Sequence, residues 1–410
     1  FSAQRLNSFA NLRLFEKAVE AFSGTPEHFE KWKDAFARVA DFAKEERFLL
    51  AIDDFADLVF EDGEILKAFR AAFENEWRNT QIFVAAACGR MYFTESEILA
   101  ENSAAAVRRP LIVKLDELDY FDAAKALPKG VSARDKLRYY CCLGGVPEYL
   151  LMVKEGESFE ENIRRLFLRE NSPLGFTMQE TYLYELREPE FYSSVLAALA
   201  GGCKRINDIV AATGESSTKV NKYLLTLLQM QIVTRDVPFG EEGKVSRKGV
   251  YSVAPKALAF WYRFVMPNRA KIAMGEEPIE DITAAVDEYI SGKLYEQVCA
   301  QYMVRKNKQG MLPFLGSVIA GYWGSLNDCD CAQLVAANQR NRQILFARFA
   351  ESYAAGSAEQ TVAELRKNDK LFTEYWERYD MLFSLEPFPR DFRNAENMKL
   401  KLVDAEALYK

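Results

Sequence analysis

The sequence predicts a multidomain α/β-plus-α protein: a parallel-sheet core with a helical segment behind it, a winged helix-turn-helix, and a second α/β domain. Three observations carry this. Short apolar runs at Phe48–Ile52, after Gln81 and after Pro110 alternate with helical segments, the profile of buried parallel strands. Residues 192–253 run helix, short helix, turn, helix and hairpin, the order of a winged helix-turn-helix. Past residue 280 a helix and then further short strands follow.

In chain order, residues 5–45 place apolar and charged positions at helical spacing, as in FEKAVEAF and FEKWKDAFARVADFAK. Five apolar residues, Phe48 to Ile52, are too few for a helix and end at Asp53 and Asp54. A helix over Ile65–Trp77 leads to a second strand, QIFVAAA, and a third is expected at PLIVKL. From Asp122 to about Arg187 the pattern is helical, with Gly144, Gly145 and Pro147 forcing a tight turn. Gly214 stops the short helix INDIVAATG, and Ser216 or Ser217 caps the next. The strands IVTRDVPF and VYSVA flank a polar loop, and a helix KALAFWYRFVMPN closes the unit. A helix over 280–303 precedes strands near Tyr322-Trp323, AQLVAAN, QILFARF, DMLFSL and KLKLVDA, with a helix near Ala358–Arg366.

The 410 residues leave room for two to four domains. Net charge is −7, so any nucleic-acid surface must be local. The one histidine, His28, sits among glutamates, which excludes histidine-rich metal sites and argues against histidine-based triads. Seven cysteines (88, 141, 142, 203, 299, 329, 331) form no C-x-x-C pair and read as free thiols of a reducing compartment. Cys329-x-Cys331 has no second ligand pair to complete a metal site. With no bilayer-length apolar run and no leader pattern, a cytoplasmic protein without a membrane partner is expected. A chain opening at Phe1 inside an apolar–polar pattern reads as processed or as a fragment.

Asp53 and Asp54, at the end of a buried strand, suit a Mg²⁺ ligand and a residue that polarises water; equally, two acids there can simply leave the core or cap the next helix. No G-x-x-x-x-G-K-[ST] loop occurs to complete a phosphate site. Arg108 and Arg109 suit phosphate charge, or form a solvated basic loop. Over residues 189–256 the balance is +3. Ser217, Thr218, Lys219, Asn221 and Lys222 open the second helix of the winged unit, where base edges and phosphates are met. Lys244, Arg247 and Lys248 lie in the hairpin. The alternative is a winged helix that serves structure or protein contact.

The segments LLAIDDF, RRPLIVKL, YCCLGGVPEYL, YELREPEFYSSVLAAL, SRKGVYSV and LAFWYRFVMPNR resemble, in order and spacing, archaeal and bacterial AAA+-type P-loop ATPases of the STAND-like clade. These carry a winged helix and a restriction-endonuclease-like C-terminal domain. The resemblance spans nearly the whole chain and implies ATP and Mg²⁺ as cofactors, with Asp53 as the Walker B metal aspartate and Asp54 in place of the usual Glu. It makes Arg108 or Arg109 the finger arginine, and Ala87-Cys88-Gly89-Arg90 lacks the family's sensor serine. In the C-terminal domain Asp328-Cys329-Asp330 keeps acids, whereas Arg348-Phe349-Ala350 replaces the metal-binding Glu and catalytic Lys, so nuclease activity is not expected; Asp330 marks the degenerate position.

The expected domains are a partial ATPase core lacking its first strand and P-loop (1–121), a helical lid (122–188), a winged helix (189–268) and a degenerate nuclease-like domain (280–410). The first strand and P-loop are expected before Phe1. The expected role is a nucleotide-controlled regulator that does not bind ATP tightly as this chain, with double-stranded DNA, a protein or a second copy as partner. The alternative is a nucleotide-independent DNA-binding protein or scaffold.

Overall fold

The computed structural model describes residues 1–44, 46–89, 93–99, 111–175, 178–183, 186–244, 246–323, 333–367, 372–397 and 399–410. The architecture is mixed α/β, with several separate sheets. The chain divides into two compact units: Phe1–Leu115 with Gln229–Gln231, and Asp116–Leu228 with Ile232–Lys410.

In the first unit, α1 (Ser8–Ser23) starts where the Asn7 side chain accepts the Ala10 amide and ends at Gly24 in the left-handed region. Helices α2 (Trp32–Phe42) and α4 (Glu64–Glu74) turn Phe36, Val39, Ile65 and Phe69 inward, because these recur at helical spacing. With Phe15, Trp32 and Trp77 they form an aromatic core. Against it lie β1 (Phe48–Ile52) and β2 (Ile82–Ala86), paired in parallel from Phe48↔Ile82 to Ile52↔Ala86. Residues 1–3 continue the sheet beyond β1: the Asp53 amide donates to Phe1 O at 2.9 Å and Ala3 N to Asp53 O at 3.0 Å. The short α3 (Phe55–Glu61) follows β1 directly.

This sheet is covered on one face. Leu50 and Ile52 are buried, but the register partners Leu49 and Phe83 are 62% and 78% exposed. The third strand expected at PLIVKL is not formed: residues 111–119 take no strand, and Leu111 and Leu115 are 92% and 93% exposed. An apolar run becomes a strand only where a neighbour takes its backbone hydrogen bonds. Among the described residues none does.

The second unit begins with the helices α5 (Tyr120–Ala126), α6 (Ala133–Leu143), α7 (Pro147–Leu151), α8 (Phe159–Ile163) and α9 (Met178–Leu183). Next come α10 (Pro189–Ala200), α11 (Ile206–Thr213), α12 (Ser217–Gln229) and the antiparallel strands β3 (Val233–Asp236) and β4 (Val250–Val253). Helix α13 (Lys256–Phe260) continues through Trp261, whose indole N–H donates to Gly175 O at 2.6 Å from the bottom of the core. Helices α14 (Ile279–Tyr289) and α15 (Tyr295–Lys308) are joined by one wider turn.

The last sheet holds β5 (Val318–Gly321), β6 (Leu334–Asn338), β7 (Gln343–Ala350), β8 (Glu377–Ser384) and β9 (Leu400–Asp404), in that spatial order. The first two pairings are antiparallel, the last two parallel. Helix α16 (Ala358–Leu365) makes the crossover from β7 to β8. Strand β5 falls just before the Tyr322-Trp323 pair expected to form it. This sheet is tied to the helices by Tyr120, whose hydroxyl donates to Leu408 O, and by Arg305 on Asp119 and Asp122.

The turn after α6 is sterically closed. A side-chain carbon on Gly145 would lie 1.9 Å from Leu118 O, whereas nothing lies within 4 Å of one on Gly63. Gly145→Ala is therefore expected to cost at least about 2 kcal/mol in denaturant unfolding. Gly63→Ala should stay within about 0.5 kcal/mol of the parent, and equal stabilities would contradict this packing.

Candidate functional site

The carboxyl ends of β1 and β2 gather the first candidate cluster. Asp53 is exposed and accepts the Asp54 amide at 3.1 Å. Asp54 has φ 53° and ψ 36°, a left-handed conformation in which Asp is among the tolerated residues, and it turns the chain from β1 into α3. Burial, then the neighbouring Asp53 and Asp57 carboxylates, hold the Asp54 carboxyl above the ordinary aspartate range, against the pull of Arg5. Arg5 reaches Asp57 at 3.8 Å. Cys88, past the end of β2, is a free thiol that burial pushes up, away from the reactive thiolate.

Asp57 and Arg5 were not singled out by sequence. Asp57 is legible in hindsight, since it repeats Asp53 at i+4 across the strand–helix turn. Arg108 and Arg109 lie outside the described residues. No group of three or more His, Cys, Asp or Glu able to hold a metal occurs among the described residues. A cation at Asp53 would need most of its oxygens from phosphate and water, the usual condition of Mg²⁺.

The second candidate is the α12 surface with its hairpin. Ser217, Thr218 and Lys222 are exposed at the start of α12. Lys219 is not directed outward: its ammonium pairs with Glu215 at 3.0 Å and lies 3.4 Å from the Phe191 ring centre. Asn221 returns its amide to Ser217 O at 2.8 Å. In the hairpin loop Lys244 donates to Gly240 O and Lys248 pairs with Glu241 at 3.0 Å. Arg247 is exposed, and like Lys222 it has no ion pair among the described residues.

This loop is anchored. Phe239 joins the core of the last sheet, its ring 5.6 Å from that of Phe372. Its amide donates to Gly321 O at 2.8 Å, and the Trp323 indole donates to Lys248 O at 2.9 Å. Sequence reasoning missed this anchor, whose signal is an aromatic residue inside the polar turn VPFGEEG.

At the third candidate, Arg348 on β7 pairs with Glu364 of α16 at 2.9 Å. The position expected to have lost its metal-binding acid is thus a closed ion pair. Asp328 and Asp330 lie outside the described residues, as do Cys329 and Cys331.

Residues 261–351 match DUF234, a family described as archaeal and bacterial proteins of unknown function. An uncharacterized protein of Methanocaldococcus jannaschii is 26% identical over 337 residues, which is 82% of this chain and 74% of that protein. Among solved structures, the Walker-type ATPase PABY2304 of Pyrococcus abyssi aligns at 18% identity and a TM-score of 0.45, over 62% of this chain and 77% of that one. Protein VC1899 of Vibrio cholerae aligns at 12% identity and a TM-score of 0.23, over 92% of this chain and 77% of that one. No helix among the described residues is long and apolar enough to cross a membrane.

Two outcomes follow from these contacts. The folded state favours protonated Asp54, so its stability falls as pH rises from the ordinary aspartate range through the raised value. Asp54→Asn, which keeps the left-handed turn, is expected to raise Tm at pH 7 and to flatten that decline. A lower Tm would contradict the repulsion. Phe239→Ala is expected to cost about 2–4 kcal/mol and to open residues 240–249 to limited proteolysis, with unchanged cleavage refuting the anchor.

Proposed function

We propose that the chain belongs to a nucleotide-controlled regulator, in which the first unit is the carboxylate side of a P-loop ATPase core and α12 faces the partner. The observation that carries this is the exposed pair Leu49 and Phe83, with Asp53 and Asp54 at the strand ends beside it. Parallel sheets are covered on both faces, and their ligands bind beyond the carboxyl ends of the strands. A further strand beside β2, followed by a Gly-rich loop and helix, would cover that surface. It would also give the 111–115 run a neighbour, and bring backbone amides to phosphates near Asp53.

The residues present fit the metal half of such a site. Asp53 would reach Mg²⁺ through its water shell, and Asp54 would orient a water. When bound, Mg²⁺ with ATP supplies charge neutralisation at the transferring phosphate. The phosphate half has no counterpart among the described residues, and tight ATP binding by this chain is not expected.

We further infer that α10–α12 with β3 and β4 form a winged helix, and that β5–β9 with α16 form a restriction-endonuclease-like domain without nuclease activity. The helix–hairpin order and the mixed sheet support this. The ion pairs of Lys219 and Lys248 and the anchored loop favour a second reading, in which this surface meets a protein and not DNA.

Titration of the 410-residue chain with ATP and Mg²⁺ is expected to give no binding tighter than millimolar, and micromolar affinity would overturn the assignment of the missing phosphate loop. In the reading frame before Phe1, a G-x-x-x-x-G-K-[ST] loop supports the nucleotide reading, and an unrelated start refutes it. For duplex DNA, Lys222→Ala with Arg247→Ala is expected to weaken binding and to reduce the salt slope by about 2. A parent protein that binds no duplex at low salt selects the protein-contact reading.

A further inference from the structure

Among the described residues of the second unit, the most exposed large apolar side chain is Trp376, at 76%. It stands at one end of the last sheet, where β5, β7, β8 and β9 begin and β6 ends.

The turn from β6 to β7 adjoins this ring. Residues 338–343 read NQRNRQ, six polar side chains without an acid. Arg342 has φ 55°, and its carbonyl accepts the amides of Trp376 and Glu377 at 2.9 and 3.2 Å. Its guanidinium lies 4.4 Å from the centre of the indole. Asn338 fixes the rest of the turn: Oδ1 accepts the Asn341 amide at 3.0 Å, and Nδ2 donates to Leu315 O at 2.8 Å. Arg340, Asn341 and Arg342 are exposed, and neither arginine has an ion pair among the described residues.

Three carboxylates lie nearby. Glu377 accepts the Gln343 amide at 2.7 Å and the Tyr379 hydroxyl at 2.6 Å, with Lys399 in its field. Glu374, exposed, and Glu242 act on the buried Tyr375 hydroxyl. The chain ends that meet here, residues 306–317, 338–343, 373–377 and 397–399, carry five Lys or Arg against two Glu. That is a local +3, or +2 with Glu242, in a chain of −7.

We propose that this end of the last sheet binds single-stranded nucleic acid, with a base stacked on the open part of the Trp376 indole and phosphates met by Arg340 and Arg342. A flat ring accepts any unpaired base, whereas the bases of a duplex are closed to such stacking. Guanidinium forks suit phosphate oxygens, and amide side chains such as that of Asn341 suit sugars and base edges. The exposed Met311 and Leu315 of the neighbouring loop would serve a protein contact instead, and the test separates the two. This site is independent of the reading of α12, which concerns a duplex on another surface, and of the nucleotide reading, which concerns the other unit.

The test is fluorescence anisotropy of a labelled oligothymidylate of about 15 nucleotides with the 410-residue chain, over a range of salt. Saturable micromolar binding that weakens with salt is expected. Trp376→Leu should weaken it at least about tenfold, and Trp376→Phe by less than about threefold, because a phenyl ring still stacks. Arg340→Gln with Arg342→Gln should reduce the salt slope by about 1.4. Lys129→Met, exposed before α6, should leave binding unchanged. All these side chains are exposed, so the variants should fold as the parent does by circular dichroism. Parent binding that Trp376→Leu does not weaken would place the strand on another surface, and no binding at low salt would leave the patch to a protein. Either result would overturn the proposal.

Discussion

A parallel strand pair has little stability of its own, because both of its faces must be taken from water by something else. In the first unit that requirement governs the geometry at the end of β1. The aromatic core of Phe15, Trp32, Phe36, Phe69 and Trp77 grips one face and fixes the register of β1 on β2. Residues 1–3, bonded to Asp53 from the other side, extend the sheet to the position where the chain must turn. The turn is then made by Asp54 in a left-handed conformation, which sets three carboxylates close together. Their mutual repulsion is a consequence of the packing behind them.

The second unit is organised by side chains that carry a polar atom into the core and find a backbone partner there. Trp261 reaches Gly175 O and Tyr120 reaches Leu408 O. Each joins segments far apart in sequence, and each removes the desolvation penalty of an indole or phenol. Phe239 does the same work with apolar surface alone. Its loop also holds Lys244, Arg247 and Lys248, so the ring, with the Phe239 amide on Gly321 O and the Trp323 indole on Lys248 O, helps to set where three cations stand.

Much of this order was legible in the sequence, and the reasons for the rest are physical. Phe48–Ile52 and the run after Gln81 were readable as strands, since a five-residue apolar stretch between charged residues has few other uses. The break at Gly144-Gly145 and the stop at Gly214 follow from backbone geometry that only particular residues tolerate. The run after Pro110 has the same composition as β1 and yet forms no strand, because strand formation depends on a neighbour that composition does not reveal. Lys219 opens a helix as a recognition residue would. Its contacts with Glu215 and Phe191 arise from i−4 spacing and from a helix further back, and only the first is visible in sequence.

The same distinction changes what a basic segment means. Residues 189–256 carry a net charge of +3, which read as a surface for polyanions. In the folded chain, Lys219 and Lys248 have carboxylate partners, as does Arg348 on β7. An exposed pair of this kind is worth little to stability, but it lowers the field that a ligand meets. Lys222 and Arg247 stand in solvent with no ion pair among the described residues, where a diffuse polymer is met. Net charge counts paired and unpaired cations alike, although only a cation without a carboxylate beside it presents its full field to a ligand.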